Sequence, residues 1–288
     1  PGVRRLLRLS GWAILQHTGA ALLLGAAIVL GAGVEGGVVA YRVAFYLFLA
    51  PYGIFAQPIH TTVQPELADD AARSDLAGFG QAMSWSLSSL GVVVIPVTAL
   101  MVALAGPAME VAAFGEADTG GGSGLMAAGV VGLALGLPAY GAFRLFAAAW
   151  YALDDSRTPA LAAVVSAVLG VALMAALTPL TDGDARIFAL GLGHTVGFAL
   201  GAGWLAVQLV RRRGISLRPQ SLPVVLPLAV ALGGLAWLGA DLWSPDGRVA
   251  TALCLVVVGG AAAAVYWGAV RRFHLLPGPG RGQPLLAP

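Results

Sequence analysis

Few side chains in this sequence could do chemistry, and the most conspicuous of them sit where water is scarce. Arg42 lies in Tyr41-Arg42-Val43-Ala44-Phe45-Tyr46 and Arg144 in Ala142-Phe143-Arg144-Leu145-Phe146, both inside long apolar runs. An arginine held in hydrocarbon costs at least ~2.5 kcal/mol unless its head reaches the interface or faces water. Arg42 therefore either snorkels to the nearer interface or points into a water-filled cavity, where its charge attracts phosphate. Arg144 stands within two turns of the end of its run, and snorkelling is the expectation there. His17, His60, His194 and His274 are scattered over different segments and read as packing or interface residues. The one cysteine, Cys254, can form no intrachain disulfide. The sequence holds no glycine-rich phosphate loop, no Cys/His cluster at metal spacing and no nucleophile elbow. The reading is therefore no catalytic residue, no cofactor and no metal.

The elements that must position these residues follow from composition. Of 288 residues, 58% are hydrophobic and 10% charged, with a mean hydropathy of +0.84. A water-soluble domain carries about 25% charged residues, so most of this surface must face lipid. The pI near 9.1 does not point to nucleic acid, because the basic residues cluster at the ends of apolar runs instead of forming a stripe. Windows of ~19 residues predict transmembrane helices at about 11–32, 37–58, 85–106, 124–150, 159–180, 187–210, 222–242 and 249–270. The expected class is an all-α integral membrane protein of about eight spans. A β-barrel is disfavoured because the runs are continuous and do not alternate. All sixteen basic residues are arginines, and twelve of them fall in alternate loops and ends, against only Arg186 and Arg248 on the other side. The positive-inside rule then places both ends in the cytoplasm.

Finer features belong to this frame. Trp12, Trp150, Tyr151, Trp243 and Trp267 stand near span ends and are expected to anchor at the interface. Pro51, Pro58, Pro96, Pro138, Pro223 and Pro227 interrupt spans and invite kinks. Gln57, Gln64 and Gln208 read as polar contacts between helices. Leu76, Phe79, Met83, Leu87 and Leu90 recur at helical spacing, so Glu66–Ser84 is expected to form a short amphipathic helix on the cytoplasmic face that runs into the third span. Gly115–Gly124 reads as a flexible external loop and Pro277–Pro288 as a Pro/Gly-rich tail. Asp154-Asp155-Ser156-Arg157-Thr158-Pro159 is turn and helix-start chemistry, with Thr158 as the expected cap. The chain starts at Pro1, with no cleavage site after Arg4-Arg5-Leu6-Leu7-Arg8, and reads as a piece of a longer protein.

Four passages resemble the MurJ/MviN family of lipid II flippases, within the superfamily of multidrug, oligosaccharidyl-lipid and polysaccharide exporters. They are the basic lead-in Pro1 to Trp12; Leu47-Phe48-Leu49-Ala50-Pro51-Tyr52-Gly53-Ile54 with Thr61-Thr62-Val63-Gln64-Pro65-Glu66-Leu67-Ala68; Val111-Ala112-Ala113-Phe114-Gly115; and Trp150-Tyr151-Ala152-Leu153-Asp154-Asp155-Ser156-Arg157-Thr158-Pro159. The resemblance covers the second half of a family member. It implies that residues 1–213 form a six-helix transporter lobe, 214–272 a terminal pair of spans, and 273–288 a cytoplasmic tail.

What the resemblance implies is a carrier, not an enzyme. It moves lipid II, a polyprenyl-pyrophosphate-linked sugar, across the cytoplasmic membrane by alternating access for cell-wall synthesis. Its partners are the bilayer, an upstream N-terminal lobe and cell-wall synthesis proteins, with no nucleic acid. The family pattern puts an arginine five residues before the proline matching Pro51; Tyr46 stands there, with Arg42 one turn earlier on the same face. The family also carries an Asn-Gln pair where this chain has Ala20-Ala21. The candidate cavity residues are Arg42, Tyr46 and His17, and the candidate cytoplasmic gate or turn residues are Arg144, Asp154, Asp155 and Arg157. Rival readings are another polysaccharide-precursor or drug exporter of the superfamily, or a membrane scaffold for cell-wall enzymes.

Overall fold

The computed structural model describes residues 2–115, 121–243 and 247–275, with side chains from Gly11 onward, Ala13 excepted. Part of the expected external loop and the whole Pro277–Pro288 tail, as well as the Arg4, Arg5 and Arg8 side chains, lie outside the described residues. Within them the chain is helical: α1 (Gly2–Gly31), α2 (Gly37–Pro51), a π turn (Tyr52–Ala56), α3 (Gln57–Ala72), α4 (Leu76–Ala103), α5 (Ala105–Ala112), α6 (Gly122–Ala134), α7 (Leu137–Ala152), α8 (Arg157–Leu177), α9 (Gly183–Arg213), α10 (Leu222–Trp243) and α11 (Arg248–Arg272). Seven segments are long and apolar enough to cross a bilayer, and the α6–α7 pair makes an eighth if its 42° bend is one broken span. The chain is thus an all-α, multi-pass membrane protein.

Glycine decides how closely the spans approach. A Cβ on Gly191 of α9 would lie 2.7 Å from the Gly132 carbonyl carbon of α6, and one on Gly132 would lie 2.5 Å from the Phe188 carbonyl oxygen. The two backbones therefore touch, as small residues permit in a bilayer where dispersion, not water, drives helix association. Gly170 of α8 and Gly193 of α9 repeat the arrangement: a Cβ on Gly170 would meet the Gly193 carbonyl at 2.8 Å. Helix α1 packs on α8, α2 on α6, and α4 on α3, α7 and α10. At the α6–α7 bend the Gly132 carbonyl accepts from Thr195 Oγ1 at 2.7 Å, so a polar group near the break has a partner in α9.

A main apolar core runs through α1–α9, and a second cluster joins α4 to α10 and α11 through Val92, Leu104, Val225, Leu232, Tyr266 and Val270. Helix α4 is the common wall. The Tyr266 hydroxyl donates to the Val92 carbonyl at 2.6 Å, and Ser221 Oγ donates to the Ser88 carbonyl at 3.3 Å.

Three sequence-based expectations change. Glu66–Ser84 is not one helix: from Leu76 it does run into the third span as the start of α4, but its first half belongs to α3. Helix α3 runs on to Ala72, and the chain turns at Arg73–Asp75 through Ser74, whose φ is 57°. Asp75 then caps α4 by accepting from the Gly78 N–H at 2.9 Å. That Asx cap is what divides an apparently continuous helical period. Trp150 is not an interfacial anchor: it is 1% exposed, with its indole N–H donating to the Leu205 carbonyl at 3.3 Å. Gln57 and Gln64 are exposed on this chain and do not sit between its helices; composition alone could not tell an outer face from an inner one.

Candidate functional site

The second span is two rods joined by a π turn, and its faces divide cleanly. One face, Tyr41, Ala44, Phe48, Tyr52, Ala56, His60, Val63 and Leu67, is buried against the rest of the chain. The other carries Val39, Arg42, Tyr46 and Gln57, all exposed, with Tyr46 at 62%. Arg42 and Tyr46 are four residues apart and therefore share a helix face, one turn from each other. An exposed cation in an apolar span has to face water, headgroups or another polypeptide.

Behind that face lies a polar and aromatic layer that sequence reading did not find. The Tyr41 hydroxyl and His194 Nδ1 share a buried hydrogen bond of 2.6 Å. About three turns along, the Tyr52 hydroxyl meets His60 Nδ1 at 3.0 Å and accepts from Arg144 Nε at 3.4 Å. The Tyr140 ring packs at 4.7 Å from Tyr52, 4.8 Å from Phe198 and 5.4 Å from Phe48. The available signal was Tyr41, Phe45, Phe48 and Tyr52, an aromatic series at helical spacing. Arg144, expected to snorkel along its helix, turns sideways into this layer instead. The Tyr52 hydroxyl gives its guanidinium an acceptor.

Tyr41→Phe should lower the stability of the full-length protein by about 1–2 kcal/mol, because it strands a polar atom of buried His194. The double variant Tyr41→Phe/His194→Phe should recover part of the loss, since removing both partners leaves nothing unsatisfied. Melting of the detergent-solubilised protein checks both; a double variant worse than the sum of the singles would contradict the pairing.

The remaining candidates do not converge on Arg42. His17 is exposed on α1 but lies ~21 Å from the Gly31 end of its helix, whereas Arg42 lies ~8 Å from the Gly37 end of the next. The two sit at different depths. At the far end of α7, Asp155 accepts from the Thr158 N–H at 3.0 Å and from Thr158 Oγ1 at 2.7 Å. The cap of α8 is therefore Asp155, not Thr158, because the first-turn N–H of Thr158 needs an acceptor from upstream. Arg157 lies 5.9 Å over the Trp12 ring, and the Tyr151 hydroxyl donates to Gln16 Oε1. Asp154 takes the left-handed conformation, φ 60°, that closes the turn. These contacts fasten α1 at Trp12 and Gln16 to the α7–α8 turn.

A family model described as lipid II flippase MurJ matches residues 1–258. No curated protein matches the chain. A solved structure described as lipid II flippase MurJ in an inward closed conformation superposes with a TM-score of 0.69 at 15% identity, over 92% of this chain and 53% of that one. At that identity the likeness is one of fold, and the chain spans about half the length of the solved protein. With the family model extending over nearly the whole sequence, from the basic lead-in to the last span, the chain belongs to the lipid II flippase MurJ family.

Proposed function

We propose that this chain forms the C-terminal lobe and terminal helix pair of a flippase that carries lipid II, a polyprenyl-pyrophosphate-linked sugar, across the cytoplasmic membrane by alternating access. The observation that carries the reading is the Arg42–Tyr46 face of α2, a cation and a phenol presented on a side of the span that, among the described residues, no helix buries. In the working protein that side faces an upstream lobe across a water-filled cavity. A pyrophosphate cannot enter hydrocarbon bare; a guanidinium replaces its hydration through charge-assisted hydrogen bonds while the polyprenyl tail stays in lipid. No covalent step is required, so the protein is read as a carrier rather than an enzyme.

In this proposal residues 1–213 are the lobe, 214–272 the terminal pair and 273–288 a cytoplasmic tail. Both ends of the chain face the cytoplasm, on the side where Arg73, Arg157, Arg211, Arg212, Arg213 and Arg218 collect. The test uses the full-length protein, reconstituted in vesicles with a fluorescent polyprenyl-pyrophosphate-linked sugar. Headgroups should become accessible to a membrane-impermeant quencher faster than in protein-free vesicles. Equal rates would overturn transport and favour the scaffold reading, which the tyrosine at the family's arginine position also suits.

A further inference from the structure

We propose that the junction between the lobe and the terminal pair holds a binding site for the phosphate headgroup of an anionic phospholipid, separate from the face that carries Arg42. The site is a cavity of about 890 Å3 where the start of α4, the α9–α10 linker and the residues just after α11 meet. Its polar lining includes Gln81, Ser84, Arg218, Gln220 and His274, with Trp85 beside them.

Three observations make this a built site. First, the walls are fixed. The Arg218 backbone N–H donates to Ser84 Oγ at 2.9 Å, and the linker lies so close that a Cβ on Gly80 would meet the Ser216 carbonyl at 2.8 Å. Second, donors are left over. The Trp85 indole N–H is buried without an acceptor, and among the described residues the Arg218 guanidinium has no carboxylate partner. A phosphate brings several strong acceptor oxygens and a charge, the complement of what this cavity offers. Third, the surroundings are basic. Arg211, Arg212 and Arg213 close α9 and Arg271 and Arg272 close α11, at the helix ends that flank the cavity. The carboxylates of Glu66, Asp69, Asp70 and Asp75 line a neighbouring cavity, whose wall shares Gln81 and Trp85 with this one.

The ligand is a lipid rather than a soluble anion because of where the cavity lies. It opens at the ends of α4, α9 and α11, all apolar spans, where headgroups of one leaflet sit. Basic pockets between spans at that level take anionic lipid headgroups. Bound there, the lipid would join α4, the linker and α11 into one unit. The site does not rest on the transport reading or on the direction of transport, since binding is read without either.

The test is lipid binding to the purified full-length protein in detergent, followed by native mass spectrometry. Phosphatidylglycerol should be retained where phosphatidylcholine is not. Arg218→Gln should weaken retention about fivefold, the contribution of one basic residue near an anionic headgroup. Gln81→Trp, which fills the cavity and leaves every arginine in place, should weaken it similarly. Arg186→Gln, at the opposite ends of the spans, should bind like the parent. Parent-like retention by both Arg218→Gln and Gln81→Trp would overturn the site. Equal retention of phosphatidylcholine would overturn its charge selectivity. Competition by millimolar inorganic phosphate alone would show a soluble-anion site and overturn the lipid assignment.

Discussion

Arg42→Ala in the full-length protein should slow headgroup translocation at least tenfold while leaving folding and membrane insertion intact. The argument is one of position and partners. Among the described residues the Arg42 side chain has no hydrogen-bond or ion-pair partner, and it is exposed, so truncation removes no internal contact. On the transport proposal it removes one charge-assisted interaction with the cargo, about 1.5–3 kcal/mol, or roughly ten- to a hundredfold in rate if that contact is made when the headgroup crosses. Arg42→Lys should keep a large part of the activity, as a cation without the bidentate fork. Arg42→Ala/Tyr46→Arg should restore more than Arg42→Ala retains, because it returns the charge to the same face one turn along. The measurement is the quencher assay on reconstituted protein. Parent-level rates in Arg42→Ala would remove Arg42 from the pathway.

Gly191→Leu is expected to have the largest effect on stability. A side chain there enters the backbone of α6 at Gly132 and Leu133, with a Cβ 2.7–2.8 Å from main-chain atoms. Flexible side chains could move aside; the backbone of a packed helix cannot, so α6 and α9 must separate. Overpacking of this kind costs about 1–3 kcal/mol and sometimes more, and here it also forfeits dispersion along the crossing. The variant should show a melting temperature well below the parent, or no monodisperse peak on size-exclusion chromatography. Gly203→Leu is the comparison: it lies on the same helix, exposed, with nothing near its added Cβ, and should melt like the parent. Equal melting of the two variants would mean that α6 and α9 are not in backbone contact.

The spans were legible because hydropathy acts over twenty residues at a time and local error averages out. What escaped was anything decided by one contact. Ser74 and Asp75 cut one apparent helix into two through a left-handed residue and a single Asx cap, signals only two residues long. Trp150 has the composition of an interfacial anchor, yet Leu205, fifty-five residues away, supplies its acceptor, and no local pattern reports that. Arg144 failed likewise: its partner is Tyr52, on another span. Arg42 was readable as anomalous, because a charge in an apolar run is conspicuous whatever lies around it. The buried Tyr41–His194 and Tyr52–His60 pairs were half visible in the aromatic spacing of α2, but their histidine partners, scattered in sequence, gave no hint of being gathered.

The π turn after Pro51 has a consequence for reading the second span. Its core-facing residues Ala44, Phe48, Tyr52, Ala56 and His60 recur at intervals of four, and on an ideal helix each such step overshoots by ~40°. Across four steps the stripe would wind nearly halfway around the rod, and His60 would stand ~80° around it from Tyr52. The wider turn holds one residue more than an α turn and winds the stripe back, like a leap day keeping a calendar in season. The phase of everything downstream, including the buried Val63 and Leu67, is set by those five residues.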